Sequence, residues 1–394
     1  MRNTSHTTTL DTESLEKLAT LRQSKRFARN TGKGGKLVHV VGARPNFVKL
    51  APLHRALDGV RQEVIHTGQH YDRRMSGSFF ETLEIPEPDI NLGLGGGTHA
   101  VQTARIMTGL EECFEASRPA AVIVYGDVNS TLAASLVATK MHIPCIHVEA
   151  GLRSGDRDMP EEVNRLVTDR LSDLLLTPSR EADETLLREG TPREAIHFVG
   201  NIMIDSLARL LPRLDAMPAA VPDLPDRFVL VTLHRPSNVD DPVKLTEIVR
   251  ELDRIAGDIE VVFPVHPRTR ARLDALEQSA PTQRLRLIDP LDYPSFIALQ
   301  RSSVAVVTDS GGIQEETTWL GRPCLTLRDT TERPVTIDVG TNILLGDAPS
   351  RIHPHVSEIL AGRGKTGSIP EFWDGQTAQR IRAILEALDL CTAA

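Results

Sequence analysis

The chain has 394 residues, of which 40% are hydrophobic and 25% charged, and its formal net charge is −8. That length supports two globular domains with separate cores, and the acidic balance excludes a nucleic-acid-binding surface built on a broad positive field. No stretch approaches the ~18–20 apolar residues of a membrane span and the N-terminus lacks the apolar core of a secretory signal, so a cytoplasmic protein is expected.

Residues 1–35 read as an N-terminal appendage. It has a polar start, Thr7-Thr8-Thr9, and one short amphipathic helix with Leu15, Leu18 and Leu21. The basic cluster Arg22, Lys25, Arg26, Arg29 is expected on a solvated face, followed by the flexible Gly32-Lys33-Gly34-Gly35. The first domain, 36–206, opens with the buried-strand pattern Leu37–Val41, the turn Gly42-Ala43-Arg44-Pro45-Asn46, and a helical stripe of Phe47, Leu50, Leu53 and Leu57. Further strands are expected at Val64–His66, Ala121–Tyr125, Cys145–Val148, Leu174–Thr177 and Ile196–Val199, and helices at 100–114, 129–141 and 180–188. Strands alternating with helices argue an α/β fold, a parallel sheet covered on both faces.

Residues 207–226 contain Pro212, Pro218, Pro222 and Pro225 and have weak periodicity, which places a hinge there. The second domain, 207–372, repeats the pattern, with strands at 228–233, 260–265, 286–288, 304–308 and 323–327. A closing segment, 373–394, carries the helix Gln379–Leu388, which is expected to pack back on the first domain. Within the second domain the run Val304–Thr308 leads into Asp309-Ser310-Gly311-Gly312-Ile313-Gln314-Glu315-Glu316. A strand, a small-residue turn and a helix presents unpaired N–H groups and the positive end of the helix dipole, a seat for phosphate or diphosphate. Glu316, one turn on, is suited to accept hydrogen bonds from a ribose.

Polar residues recur just after strands: Arg44, Asp127, Glu149, His234, His266, Ser310 and Arg333. Ligands of open parallel sheets bind beyond the carboxyl ends of the strands, and two such sheets would enclose a cleft. Carboxylates beside a diphosphate suggest proton chemistry next to an anion. Glu161 and Glu162, after Pro160, read on their own as a solvated helix start. His147 and Glu149 alternate along a strand and share a face. No H-E-x-x-H or comparable cluster accompanies them and the cysteines Cys113, Cys145, Cys324 and Cys391 form no CxxC pair, so no metal site is expected. Cys145 and Cys324 read as small core residues.

Several stretches together resemble the non-hydrolysing UDP-N-acetylglucosamine 2-epimerases: Gly42–Pro45, Tyr125-Gly126-Asp127, His147–Arg153, Pro160–Arg165, Gly200-Asn201, His234-Arg235, Pro264–Pro267, Thr308–Glu316 and Arg328–Pro334. The resemblance covers residues 37 to about 390. It implies the GT-B arrangement, two Rossmann-like domains facing a cleft, a homodimer, and no organic cofactor. It also implies a route in which an enzymic base removes the proton at carbon 2, UDP leaves by anti elimination to 2-acetamidoglucal, and UDP adds back after reprotonation from the other face. By resemblance the acid/base roles fall to Asp127, Glu149, Glu161 and His234. Those of binding the UDP-sugar fall to Arg44, Arg165, His234, Phe296 (near the uracil), Ser310, Gly311, Gly312, Glu316 and Arg333. Two stretches depart from the family: His66–Asp72, which lacks the Gln-His-Arg pattern of members regulated by a second UDP-sugar, and Pro236–Asp240, which follows His234-Arg235. A related diacetamido sugar or uronate, a hydrolysing epimerase, and a GT-B glycosyltransferase or nucleotide-sugar binder stay open as alternatives.

Overall fold

The computed structural model describes residues 10–30, 35–68, 84, 85, 87–215, 221–276 and 284–393. The polar start, most of the glycine linker, and the departing loop from Gln69 to Asp72 lie outside the described residues. The chain forms two compact units, one made of residues up to Arg209 together with Glu371–Ala394, the other of Leu210–Pro370.

The first unit is built on seven parallel strands: β1 (Leu37–Val41), β2 (Gln62–His66), β3 (Ile90–Asn91), β4 (Ala121–Tyr125), β5 (Cys145–Val148), β6 (Leu174–Thr177) and β7 (Ile196–Phe198). Their order is β3-β2-β1-β4-β5-β6-β7. β1 and β4 are buried along their whole length, as expected of central strands with helices on both faces. Val38, Val40, Ile65, Val122 and Val124 pack there against Ile106, Leu110, Phe114, Ala134 and Val137 from two helices.

The segment read as an appendage is part of this unit and forms two helices, Thr12–Arg22 and Lys25–Asn30. Leu18, Leu21 and Phe27 are buried. The basic cluster is not wholly solvated either. Arg26 Nη1 donates to both oxygens of Asp173, at 2.8 and 2.7 Å, and Asp173 in turn accepts from the Cys145 N–H at 2.9 Å, at the start of β5. At the other end of the chain, the Thr377–Ala387 helix is capped by Asp205, which accepts from the N–H groups of Thr377 and Ala378 at 3.1 and 2.7 Å. Buried Trp373 donates its indole N–H to the Pro178 carbonyl at 3.0 Å.

The second unit has six parallel strands: β8 (Phe228–Thr232), β9 (Glu260–Pro264), β10 (Leu285–Ile288), β11 (Ala305–Thr308), β12 (Cys324–Thr326) and β13 (Asn342–Leu344), in the order β10-β9-β8-β11-β12-β13. The proline-rich hinge predicted from residue 207 begins inside a helix, Ile202–Leu214, which carries Pro212 within it. The boundary between the units falls in that helix. Pro212 has no N–H to give to the carbonyl four residues back, and the helix ends two residues after it, at Leu214.

Both sheets reverse strand order at one place, between β1 and β4 and between β8 and β11. Loops leaving the two strands at such a point diverge, and the crevice they leave is where α/β sheets hold ligands.

Candidate active site

At the reversal point of the first sheet, the turn after β1 is tied to the end of β4 by Asn46. Its Oδ1 accepts from the Gly42 and Ala43 N–H groups, each at 3.1 Å, and its Nδ2 donates to the Tyr125 carbonyl at 2.9 Å. Arg44 opens the Arg44–Ala56 helix, but its side chain lies outside the described residues. One turn on, buried Lys49 forms an ion pair with Glu149. Lys49 Nζ also lies over Gly126, where a β-carbon would sit 2.8 Å from it and where φ is +61°. The left-handed φ is what favours glycine at Gly126.

Glu149 follows β5 with φ of 73°. A non-glycine residue in that region carries about 1–3 kcal/mol of strain, and such residues concentrate at functional sites. Its backbone is held there because the N–H groups of Glu149 and Ala150 both donate to the Leu176 carbonyl, at 3.0 and 3.1 Å. Asp127 leaves 26% of its side chain accessible and receives Arg165 Nη2 at 2.6 Å. Asn164 Nδ2 donates to the Asp127 carbonyl at 2.8 Å.

The Pro160–Leu171 helix places Glu161, Arg165 and Asp169 at i, i+4 and i+8, on one face. Glu161 is half-buried. Its neighbour Glu162 is not a solvated helix start: it is buried and accepts from the Ser154 N–H at 2.9 Å, the Ser154 hydroxyl at 3.1 Å and the Gly155 N–H at 3.0 Å. Burial opposes its ionisation, but these bonds and Arg165 outweigh burial and hold the carboxyl below its ordinary range. His147 has no ring nitrogen to offer a metal. Nδ1 meets Asp169 Oδ1 at 2.6 Å and Nε2 meets the Gly126 carbonyl at 2.8 Å. Among the described residues, no group of three or more His, Cys, Asp or Glu side chains is arranged to hold a metal ion.

At the reversal point of the second sheet, Asp309 ends β11 fully buried and organises the turn after β8. It accepts from the N–H groups of His234 and Arg235 at 3.1 and 2.9 Å, from Asn238 Nδ2 at 3.0 Å, and from His234 Nδ1 at 2.9 Å. Burial resists its ionisation, yet the His234, Asn238 and Arg235 bonds keep its carboxyl below the ordinary value. The His234 side chain is 56% exposed, so one nitrogen is fixed and the ring edge beyond it faces outward.

Ser310 is the N-cap of the Gly311–Trp319 helix, whose first residues are the two glycines. Directly behind Gly311 lies a buried run of charges. Arg333 Nε meets Glu315 Oε1 at 2.9 Å, Arg333 Nη1 meets Glu332, and Arg328 Nη2 meets Glu332 Oε2 at 2.7 Å. Arg333 therefore supports the glycine turn through these carboxylates. Glu316 faces Gln300 Nε2 at 2.7 Å and the Tyr293 hydroxyl. Burial pushes its carboxyl up to about 7 against those two bonds. Phe296 is half-buried on the Tyr293–Ser302 helix, against a cluster that includes Leu230, Leu299, Val306 and Ile313.

The structure thus gathers Asp127, Glu149, Arg165 and the helix of Glu161 near the reversal point of the first sheet, and His234, Ser310–Gly312, Arg333 and Glu316 near that of the second. Lys49, Asn46, Asp309 and the His147–Asp169 pair were missed. Lys49 alone had a local signal, a cation inside the buried run Phe47, Val48, Leu50, Ala51.

The sequence profile of the UDP-N-acetylglucosamine 2-epimerase family matches residues 54–386. The UDP-N-acetylglucosamine 2-epimerase of Methanocaldococcus jannaschii is 40% identical over 364 residues, covering 89% of this chain and 98% of its own. Its crystal structure in complex with UDP-GlcNAc and UDP superposes with a TM-score of 0.82, covering 89% of this chain and 99% of that one. The UDP-2,3-diacetamido-2,3-dideoxy-D-glucuronate 2-epimerase of Pseudomonas aeruginosa is 41% identical, covering 90% of this chain and 100% of its own. A lipopolysaccharide outer core galactosyltransferase, at 14% identity and a TM-score of 0.54, covers 89% of this chain and 99% of its own and shares the fold alone.

Proposed function

The chain belongs to the UDP-N-acetylglucosamine 2-epimerase family, and we propose that it interconverts UDP-N-acetylglucosamine and UDP-N-acetylmannosamine by eliminating UDP and adding it back. The observation that carries this reading is a pair of salt-bridged carboxylates, Glu149 with Lys49 and Asp127 with Arg165, at the reversal point of the first sheet. A carbon-bound proton is a poor acid, so the base that takes it must be positioned and shielded from water. One carboxylate removes the carbon 2 proton, and the electron pair forms the carbon 1–carbon 2 double bond as the bond to UDP breaks. A second acid then delivers a proton to the opposite face, and the diphosphate oxygen re-forms the carbon 1 bond. Asp127, Glu149, Glu161 and His234 are the groups read as sharing these transfers.

The departing diphosphate needs donors and positive charge, worth several kcal/mol in a dry site. Arg44, Arg165, His234 and the Ser310-Gly311-Gly312 helix start are read as supplying them, with Arg333 holding that turn. Glu316 takes the ribose and Phe296 lies against the uracil. The reading needs no organic cofactor and carries a cytoplasmic homodimer. Among the described residues no helix is long and apolar enough to cross a membrane.

The test is incubation with UDP-N-acetylglucosamine in deuterated water. Deuterium enters carbon 2 and a manno product appears; absence of both removes this substrate. A second substrate reading, a UDP-2,3-diacetamido uronate, is favoured by the Pseudomonas relative and by the departure at Pro236–Asp240. The same exchange measured on that sugar decides between them.

The Glu316 environment adds a pH dependence. Ribose hydroxyls donate to a carboxylate, so UDP binds the ionised form and releases the proton that Glu316 holds at pH values below about 7. Affinity accordingly rises with pH up to that value and flattens above it. UDP affinity is expected to fall about fivefold from pH 7 to pH 6. Calorimetry on Glu316→Gln should show that part of the fall abolished, since titration of the nucleotide itself is common to both proteins.

A further inference from the structure

We propose that His147 and Asp169 are positioning residues: one imidazole–carboxylate unit that sets the separation of the Asp127 and Glu149 turns. The proposal rests on the epimerase reading for what that separation does, while the unit itself stands on geometry. β4 and β5 pair in register as far as Tyr125 and Val148. Beyond that point both chains enter left-handed turns, at Gly126 with φ of 61° and at Glu149 with φ of 73°, and the regular ladder ends. One backbone bond, from the Gly126 N–H to the Val148 carbonyl at 3.1 Å, reaches this point, and beyond it a chain of side-chain bonds joins the two turns. The Gly126 carbonyl accepts from His147 Nε2 at 2.8 Å, His147 Nδ1 meets Asp169 Oδ1 at 2.6 Å, and Asp169 Oδ2 accepts from the Gly151 N–H at 3.0 Å. Gly126 immediately precedes Asp127, and Gly151 lies two residues after Glu149.

A carbonyl can only accept, and an ionised carboxylate can only accept, so the two bonds are satisfied together by a ring with hydrogen on both nitrogens, the imidazolium of the proposed unit. The charge is balanced in place. Arg153 Nη1 also meets Asp169 Oδ2, at 2.7 Å, and Arg153 Nη2 meets Glu189 Oε2 at 2.7 Å, giving two cations and two anions. His147 and Asp169 are both buried, so the unit is shielded from competing water. Because Asp169 shares its helix face with Arg165 and Glu161, the same helix that pairs with the Asp127 carboxylate also anchors the imidazolium.

Two proton transfers at one carbon require two groups held to about 0.5 Å. His147→Gln can donate to Gly126, but its carbonyl oxygen then faces the Asp169 carboxylate. Turnover is expected to fall about tenfold with KM and UDP affinity within about threefold. The fraction of turnovers that release UDP and 2-acetamidoglucal should rise, because elimination outlives a mispositioned reprotonation. A merely structural role would lower the folded fraction without moving that product ratio. Asp169→Asn is expected to shift the ratio in the same direction. Variants that fold, turn over within twofold of the parent and release no extra glycal overturn the proposal, as does a turnover loss at an unchanged ratio. Independently of any substrate, ¹⁵N NMR of the parent protein should show two protonated nitrogens on His147; a neutral ring overturns the unit directly. A parent protein that exchanges no carbon 2 proton overturns the epimerase reading alone and leaves the NMR result to decide the clamp.

Discussion

Glu149→Gln is expected to lower turnover at least ~100-fold, with Asp127→Asn doing the same, while UDP affinity stays within about threefold in both. Glu149 is held in a left-handed conformation by two N–H bonds to the Leu176 carbonyl, and its carboxylate is held by buried Lys49. The amide keeps the shape and the backbone but cannot take a proton. It also leaves the Lys49 charge opposite a neutral group, so the melting temperature falls as well, and turnover must be normalised to folded protein. Asp127 is partly open and bonded to Arg165, so its amide variant costs less stability for a similar kinetic loss. Steady-state kinetics with calorimetric UDP titration checks both. Weakened UDP affinity at unchanged turnover contradicts the roles assigned here.

Strand runs such as Ala121–Tyr125 and Phe228–Thr232 were legible because a central parallel strand is apolar on both faces. A single polar residue after such a run is an ordinary cap or loop residue; Asp127, Glu149, His234 and Ser310 drew attention because they recur after several runs on two sheets. What escaped were groups whose partners lie far along the chain. His147 meets Asp169 across 22 positions and Asp309 meets His234 across 75, and no local pattern encodes either meeting. One N-terminal helix was legible from Leu15, Leu18 and Leu21, but its attachment escaped for a related reason: Arg26 looks solvated until Asp173, 147 residues away, arrives beside it. Arg333 reads as a ligand of the UDP-sugar, and its ion pairs with Glu315 and Glu332, which hold it behind the glycine turn, had no local signal. The proline-rich stretch from residue 207 contains the boundary between the two units, but composition alone did not show that a helix, Ile202–Leu214, runs into it.

Gly312→Ala should weaken UDP binding by about 10–100-fold, roughly 1.4–2.7 kcal/mol, without loss of thermal stability. Gly311→Ala should lose stability as well as binding. The two glycines are adjacent at the start of one helix, yet their surroundings differ. A β-carbon on Gly311 would lie 2.7 Å from Glu332 Oε1 and 2.9 Å from Arg333 Nη1, both buried and ion-paired, so neither can yield cheaply. A β-carbon on Gly312 meets nothing within 4 Å. Alanine also favours a helix over glycine by up to ~1 kcal/mol, so Gly312→Ala melts no lower than the parent. On the proposed reading a phosphate reaches the N–H groups of the first helical turn through the open space over Gly312, and a methyl group there would hold the anion away from those donors and from the dipole. Ser310 cannot compensate through its own N–H, which is already given to Thr308 Oγ1 at 3.0 Å. Differential scanning calorimetry and UDP titration on the two variants separate the effects. A Gly312→Ala protein that binds UDP as tightly as the parent places the diphosphate somewhere other than this helix start.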